Sequence, residues 1–381
     1  MTKIISYMSS IKYKSESATI NYLRGLASLG VVIYHVREDL WIGWNAIWSF
    51  PSATVLDKTV ALLSIPAPFL GSGVILFFLL SGFCIALPYV GNNGRSLDLK
   101  EYAIRRFFRI YPPYLSAIVL TFIIELVLQH IQGTDISSIK TYLVSLIMIQ
   151  NYTTGPLEAN GALWTLPIEF ELYITFPLVF YILNKFGAKV LIGFSCLISL
   201  SSFAIYLSGV DWLHDNFAIY WLVWNAGALL AKYYADNTLA MPSKWVIFTG
   251  VASLCIALVA QTSGVSAANL EFLYGYFYLI LLWFGLTTEY RWDSRIPKII
   301  VGPLTILGTC SYSLYLIHKP LFRLWGVLWT NHFGNKPVNF LVPLMFVVLM
   351  IGISWGFYHL IESPSHRLAK TAAKKWFAKK V

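Results

Sequence analysis

Charge is scarce in this chain. Asp, Glu, Lys and Arg make up 12% of its 381 residues, while 57% are hydrophobic, a balance that excludes an ordinary soluble domain and a disordered one alike. Cysteine is nearly absent. Cys84, Cys196, Cys255 and Cys310 stand singly with no CxxC spacing, so neither a disulfide framework nor a metal site is indicated. There is no fixed-period repeat and no low-complexity segment, and residues 1–17 lack the apolar core of a cleavable signal. Acidic residues are few beside the basic ones, 18 against 28, which leaves a net charge of +10.

What is abundant is apolar sequence long enough to cross a bilayer. Spans are expected at 20–37, 67–90, 110–130, 162–184, 188–208, 215–235, 244–261, 269–288, 303–329 and 338–361. The fold class is therefore all-α, a polytopic membrane protein of about ten transmembrane helices. An even count puts both termini on one side, and charge says which. Lys3, Lys12, Lys14, Arg95, Arg105, Arg106, Arg109 and a tail with Lys370, Lys374, Lys375, Lys379 and Lys380 share that side, whereas the other holds only Arg37, Lys58, Lys140 and Lys336. By the positive-inside rule both termini are cytoplasmic. The basic surplus thus follows topology, with anionic lipid contact at the tail, and not nucleic-acid binding. The ten spans use nearly every residue, so residues 1–381 read as a single membrane domain: a short cytoplasmic segment (1–19), the helices, and a basic tail (362–381). No appended extracellular domain is expected.

Two loops on the far side are long. Residues 38–66 carry Trp41, Trp44 and Trp48, suited to the membrane interface or to stacking on a sugar ring. Residues 132–161 contain the apolar stretch 142–149, too short to span and expected to be re-entrant or interfacial.

Ionisable residues inside apolar helices are costly and mark functional paths. In NYLRGLASLGVVIYHV (21–36) Arg24 and His35 are eleven positions apart, within about 20° of three full turns and therefore on one face, roughly 16 Å apart along the axis. A guanidinium near one end and an imidazole deeper in suit an anionic substrate and proton transfer. In GSGVILFFLLSGF (71–83), Ser81 and Gly82 let helices approach closely. EYAIRRFFRIYPPY (101–114) clusters Arg105, Arg106 and Arg109 before a Pro-Pro pair. The cluster is either a basic interfacial segment or a phosphate clamp, because guanidinium forks bind phosphate bidentately. In GALWTLPIEFELY (161–173), Glu169 and Tyr173 share a face at i, i+4, while Glu171 points elsewhere and is expected to have a structural partner. Pro167 is expected to kink this helix. In SYSLYLIHKPLFRLW (311–325), Ser311, Tyr315 and His318 fall on one face.

Taken together, these segments resemble the acyltransferase 3 family of membrane O-acyltransferases. The resemblance rests on Arg24 and His35, on FFLLSGF (77–83), on the arginines at 105–109, on LWTLPIEFELY (163–173), on SYSLYLIHKP (311–320) and on ESPSHR (362–367), in order along nearly the whole chain. It implies an enzyme of the bacterial inner membrane that moves an acyl group, foremost acetyl, from cytoplasmic acetyl-CoA to a hydroxyl of an O-antigen, lipopolysaccharide, exopolysaccharide or lipid-linked glycan. No permanently bound cofactor and no metal are implied. His35 would be base or nucleophile, with Glu169 as its orienting carboxylate and Arg24 polarising the thioester or neutralising phosphate. Arg105, Arg106 and Arg109 would bind the CoA phosphates, and Ser81, Tyr173, Tyr315 and His318 would support the substrate. Two other classes would use the same residue types: a proton-coupled transporter, and a flippase of lipid-linked saccharides.

Overall fold

The structure, a computed structural model, describes residues 17–91 and 94–378. Lys3, Lys12, Lys14, Lys379 and Lys380, which entered the charge asymmetry, lie outside the described residues. Every regular element among those described is helical, apart from an isolated bridge between Leu157 and Asn160. In order these are α1 (Ala18–Leu40), α2 (Trp44–Ile47), α3 (Val55–Ala61), α4 (Gly73–Ala86), α5 (Leu99–Gln132), α6 (Ile139–Leu146), α7 (Thr165–Phe186) and α8 (Ala188–Leu207). There follow α9 (Phe217–Ala235), α10 (Lys244–Thr262), α11 (Glu271–Trp292), α12 (Lys298–Thr309), α13 (Ser311–Phe333), α14 (Leu341–Phe357) and α15 (Ser363–Ala378).

The ends follow local chemistry. Asp98 caps α5 by accepting from the amides of Lys100 and Glu101, and Gly133, at φ 68°, ends it. Within α5, Pro112 cannot donate to the carbonyl of Phe108. The hydroxyl of Ser365 takes that carbonyl instead, so the PP pair of one motif is completed by the ESPSHR segment of another. Pro167 does not kink α7: it lies in the first turn, where no helical donor is lost.

Seven helices are long and apolar enough to cross a membrane, and an eighth if residues 299–309 and 311–333, bent by 73°, form one broken span. That is fewer than the ten expected. Each expected segment does hold a long helix, but α1 and α9 fall short of the same apolarity because they carry polar groups into the interior. Phe248, Val251, Ile256 and Val259 on α10 and Leu197 and Leu200 on α8 point outward, the apolar perimeter that lipid requires. Residues 142–146 belong to a two-turn helix, α6, and 147–149 to the turn after it, so the stretch does not span.

Small residues set the interior spacing. A Cβ at Gly82 would lie 1.9 Å from the carbonyl oxygen of Trp224, and one at Gly227 2.1 Å from that of Leu79. Backbone therefore meets backbone where α4 crosses α9. The long connection after α5 is pinned by Glu125, buried in that helix. It accepts from the Ser137 amide and hydroxyl at 2.8 Å, from Tyr142 Oη at 2.7 Å and from the Ala159 amide at 3.1 Å. Asn160 then donates to the carbonyl of Leu316 at 3.0 Å. The start of α7 is thereby fixed against α13.

Candidate functional site

A cavity of about 720 Å³ lies inside the bundle, reaching inward from the face where α1 begins. The start of α1 contributes Asn21 and Arg24, and α4 contributes Phe77, Ser81 and Cys84. From α5 come Arg106 and Arg109, from α7 Thr165, Glu169 and Tyr173, and from α13 Ser311, Tyr312 and Tyr315. Arg95, from the loop before α5, is a fourth guanidinium in the wall. Among the described residues lining it, Glu169 is the single carboxylate, so the space is strongly cationic.

The arginines are held in different ways. Arg24 rests Nη2 3.2 Å from the sulfur of Cys84. Arg106 lies 5.6 Å from the Tyr102 ring and 5.7 Å from the Tyr173 ring, and its buried Nε has no partner among the described residues. Arg109 feels both Glu169 and Glu362. Arg105 departs from the expected clamp: it turns back one helical turn to Glu101, with Nη2 at 2.6 Å and Nε at 2.7 Å, and is not in the cavity wall.

Glu169 accepts the hydroxyl of Tyr173, the partner its i, i+4 spacing indicated. Glu171 is occupied elsewhere, accepting from Tyr152 Oη at 2.6 Å and from the Phe217 amide at 3.1 Å. At the deep end the Tyr315 hydroxyl meets Thr165 Oγ1 at 2.7 Å and the carbonyl of Ala162 at 2.8 Å, while Phe77 packs edge-on against its ring. These groups close the cavity.

His35 is not in that wall. One turn past Tyr315 on α13 is His318, fully buried, whose Nε2 is 3.0 Å from Nδ1 of His35. The partner of His35 is thus a second imidazole, and not the carboxylate of Glu169 that the sequence suggested. Beyond the pair, Lys319 bridges Glu38 at 2.9 Å and Asp39 at 3.1 Å, and Arg323 donates to the carbonyl of Glu158 at 2.5 Å. Of the loop tryptophans, Trp41 is buried, donating to the carbonyl of Val338 at 3.0 Å. Trp44 and Trp48 are exposed and packed edge to face.

Sequence reasoning missed Cys84, Arg95 and Thr165 in the wall. Arg95 sits alone in a Gly/Asn-rich turn and was read only as a topology charge. Glu362 was part of a quoted motif but had no role. It accepts from the Ser313 amide at 3.1 Å and hydroxyl at 2.5 Å, so it caps α13 where the bend at Cys310 leaves amides unpaired. A separate polar knot lies beside Trp164. His214 meets Asp215 at 2.8 Å and Glu271 at 3.0 Å, and Tyr220 donates to Glu271 at 2.6 Å. Burial alone would lower the pKa of His214, but the hydrogen bonds to the two carboxylates outweigh it and push it up to about 10.

Fold and site define a multi-pass membrane protein with an arginine-walled interior cavity whose wall includes Tyr315, one helical turn from the buried His318 that pairs with His35. The chain belongs to the family described as an acyltransferase domain, whose model matches residues 17–359. Among curated relatives, the O-acetyltransferase OatA of Staphylococcus aureus is 26% identical over 370 residues, covering 90% of this chain and 56% of that protein. The peptidoglycan O-acetyltransferase OatA of Listeria monocytogenes is 28% identical over 340 residues, covering 80% and 49%. A putative acetyltransferase, ORF330, of Acidianus two-tailed virus is 24% identical over 322 residues, covering 83% and 86%. The chain spans about half the length of the two OatA proteins. No solved structure matches.

Proposed function

We propose that this protein transfers an acyl group, foremost acetyl, from acyl-CoA on the cytoplasmic side to a hydroxyl of a saccharide at or beyond the opposite face of the membrane. The observation that carries this reading is a cationic cavity whose wall includes Tyr315, one helical turn from His318, the partner of His35. CoA is polyanionic and cannot cross a bilayer, so a donor site must be cationic and open to the cytoplasm. Arg95, Arg106 and Arg109 supply forks for its phosphates. Arg24, near the start of α1, adds a guanidinium that neutralises donor phosphate, and His35 serves as base or nucleophile toward the acceptor hydroxyl. Glu169 and Tyr173 line the same space and hold its charge balance.

The membrane arrangement belongs to the same proposal. With α1 and α9 counted as spans, their polar faces covered by neighbouring helices, ten helices place both termini in the cytoplasm, on the side where Lys and Arg concentrate. The membrane is then a bacterial inner membrane, with anionic lipid at the basic tail. The acceptor class is a cell-surface or lipid-linked glycan; peptidoglycan is what the Listeria relative's name specifies for that protein. The test is a proteoliposome assay with acetyl-labelled CoA and glycan acceptors. Label that enters a glycan as an alkali-labile ester supports the reading, whereas a folded protein that transports glycan or protons without ester formation overturns it.

A further inference from the structure

Resting on the reading above, in which His35 acts on the acceptor hydroxyl, we infer that His318 is a positioning residue that selects the tautomer of His35 and leaves its Nε2 as the reacting nitrogen. A row of hydrogen bonds fixes where the protons sit on the two rings. Nδ1 of His318 lies 2.8 Å from the carbonyl oxygen of Tyr315 and 3.1 Å from that of Leu314. Carbonyl oxygens only accept, so this nitrogen carries a proton. A neutral His318 then has a lone pair on Nε2, which faces Nδ1 of His35 at 3.0 Å. Two lone pairs cannot face each other at that distance. Nδ1 of His35 is therefore the protonated nitrogen; the Val31 carbonyl, 3.0 Å away, requires the same N–H, so His318 and Val31 fix this tautomer together. In neutral His35 the remaining nitrogen, Nε2, holds the lone pair that takes a proton or attacks a carbonyl.

The surroundings oppose the alternative in which His318 is a resting cation. His318 is fully buried, and the rings of Tyr315 and Phe322 pack beside it. The charged groups nearest the pair are Arg37 on α1 and Lys319 on α13, both cationic, while Glu38 and Asp39 are engaged by Lys319. No carboxylate among the described residues hydrogen-bonds either ring.

The chemistry balances. The acceptor hydroxyl gives its proton to Nε2 of His35 as its oxygen bonds to the thioester carbon and the carbon–sulfur bond of acyl-CoA breaks. The imidazolium so formed keeps its Nδ1–H on Nε2 of His318, which stabilises the charge where other acid–base histidines use a carboxylate. The proton leaves with the CoA thiolate as the free thiol.

Two measurements on the full chain in proteoliposomes test this. In protein with ¹⁵N-labelled histidine, where the His35→Asn variant identifies the His35 signals, the unprotonated nitrogen of His35 should be Nε2. An unprotonated Nδ1 overturns the inference without any variant at the pair having to be active. In acetyl transfer, His318→Leu should lower kcat by ~10²-fold, within the range a lost or misoriented general base costs, and leave the KM for acetyl-CoA within about twofold. His318→Gln, which offers an acceptor oxygen to Nδ1–H, should recover part of that loss. Equal rates in the folded Leu and Gln variants, or a loss confined to KM, make His318 a packing residue only. Full activity of His35→Ala would defeat the underlying reading, not this inference alone.

Discussion

Arg24 and His35 stand on one face of α1, yet they serve different spaces: Arg24 lines the cavity with Nη2 3.2 Å from Cys84 Sγ, whereas His35 lies outside its wall, against His318. Their eleven-residue separation, about 16 Å along the helix, spans the closure made by Tyr315, Thr165 and Phe77. A donor arriving from the side of Arg24 must bring its acyl group past these side chains to meet His35. Cys84 consequently reports donor occupancy. In a background where Cys196, Cys255 and Cys310 are serine, acetyl-CoA should slow alkylation of Cys84 by a maleimide several-fold, and Cys84→Ser should keep transfer within about threefold of wild type, since nothing in the chemistry requires the thiol. Alkylation indifferent to saturating acetyl-CoA places the donor elsewhere.

The arginines of 105–109 should separate by their partners. Arg106→Gln and Arg109→Gln are each expected to raise the KM for acetyl-CoA by about tenfold, the scale of ~1.5 kcal/mol for one charge-assisted hydrogen bond, with a smaller effect on the acceptor. Arg105→Gln removes only an ion pair with Glu101 in the same helix and should shift KM less than about twofold. Equal effects from all three, or a loss of membrane insertion alone, would return the cluster to a purely topological role.

Much of the scaffold was legible because hydrophobic runs and spans coincide in a membrane protein. Residues 162–184, 188–208 and 244–261 read as spans lie within two residues of helices 161–186, 188–207 and 244–262. The bend at Cys310 was not legible, because it depends on Glu362 capping α13 at Ser313 from 49 residues away. In the site, periodicity within one helix gave Glu169 with Tyr173 and separated Glu171. It could not give His35 with His318, since no one-dimensional pattern says which helices are neighbours. It also could not tell Arg105 from Arg106, adjacent in sequence and facing a carboxylate in one case and the cavity in the other.

The two glutamates of α7 should fail differently. Glu169→Gln removes the only carboxylate among the described lining residues and should lower kcat by at least about tenfold with little change in thermal stability. Glu171→Gln weakens bonds to Tyr152 and the Phe217 amide and should lower the melting temperature by about 2–4 °C with nearly normal turnover. Kinetics and melting curves of the two variants decide it, and the reverse pattern moves the chemistry to the other face of the helix.

Stability should also carry the signature of His214. Its pKa is about 10 when folded against an ordinary 6.5, so the folded state binds the proton more tightly than the unfolded one. The stabilisation is fully present below pH 6.5 and is lost as the pH rises through 10. Melting temperature measured from pH 6 to 10.5 should fall for wild type across that window. His214→Gln should start lower and show a shallower slope; parallel curves would remove His214 as the cause.

The most direct measurement of the central claim is sidedness combined with one substitution. In sealed vesicles of defined orientation, acetyl-labelled CoA is supplied either at the face where α1 begins or at the opposite face, for wild type and for His35→Ala at equal abundance. The expected result is ester formation on glycan only when wild-type protein receives donor at the α1-start face, and none above background with His35→Ala. Ester formation from donor at the opposite face, or undiminished in His35→Ala, contradicts it.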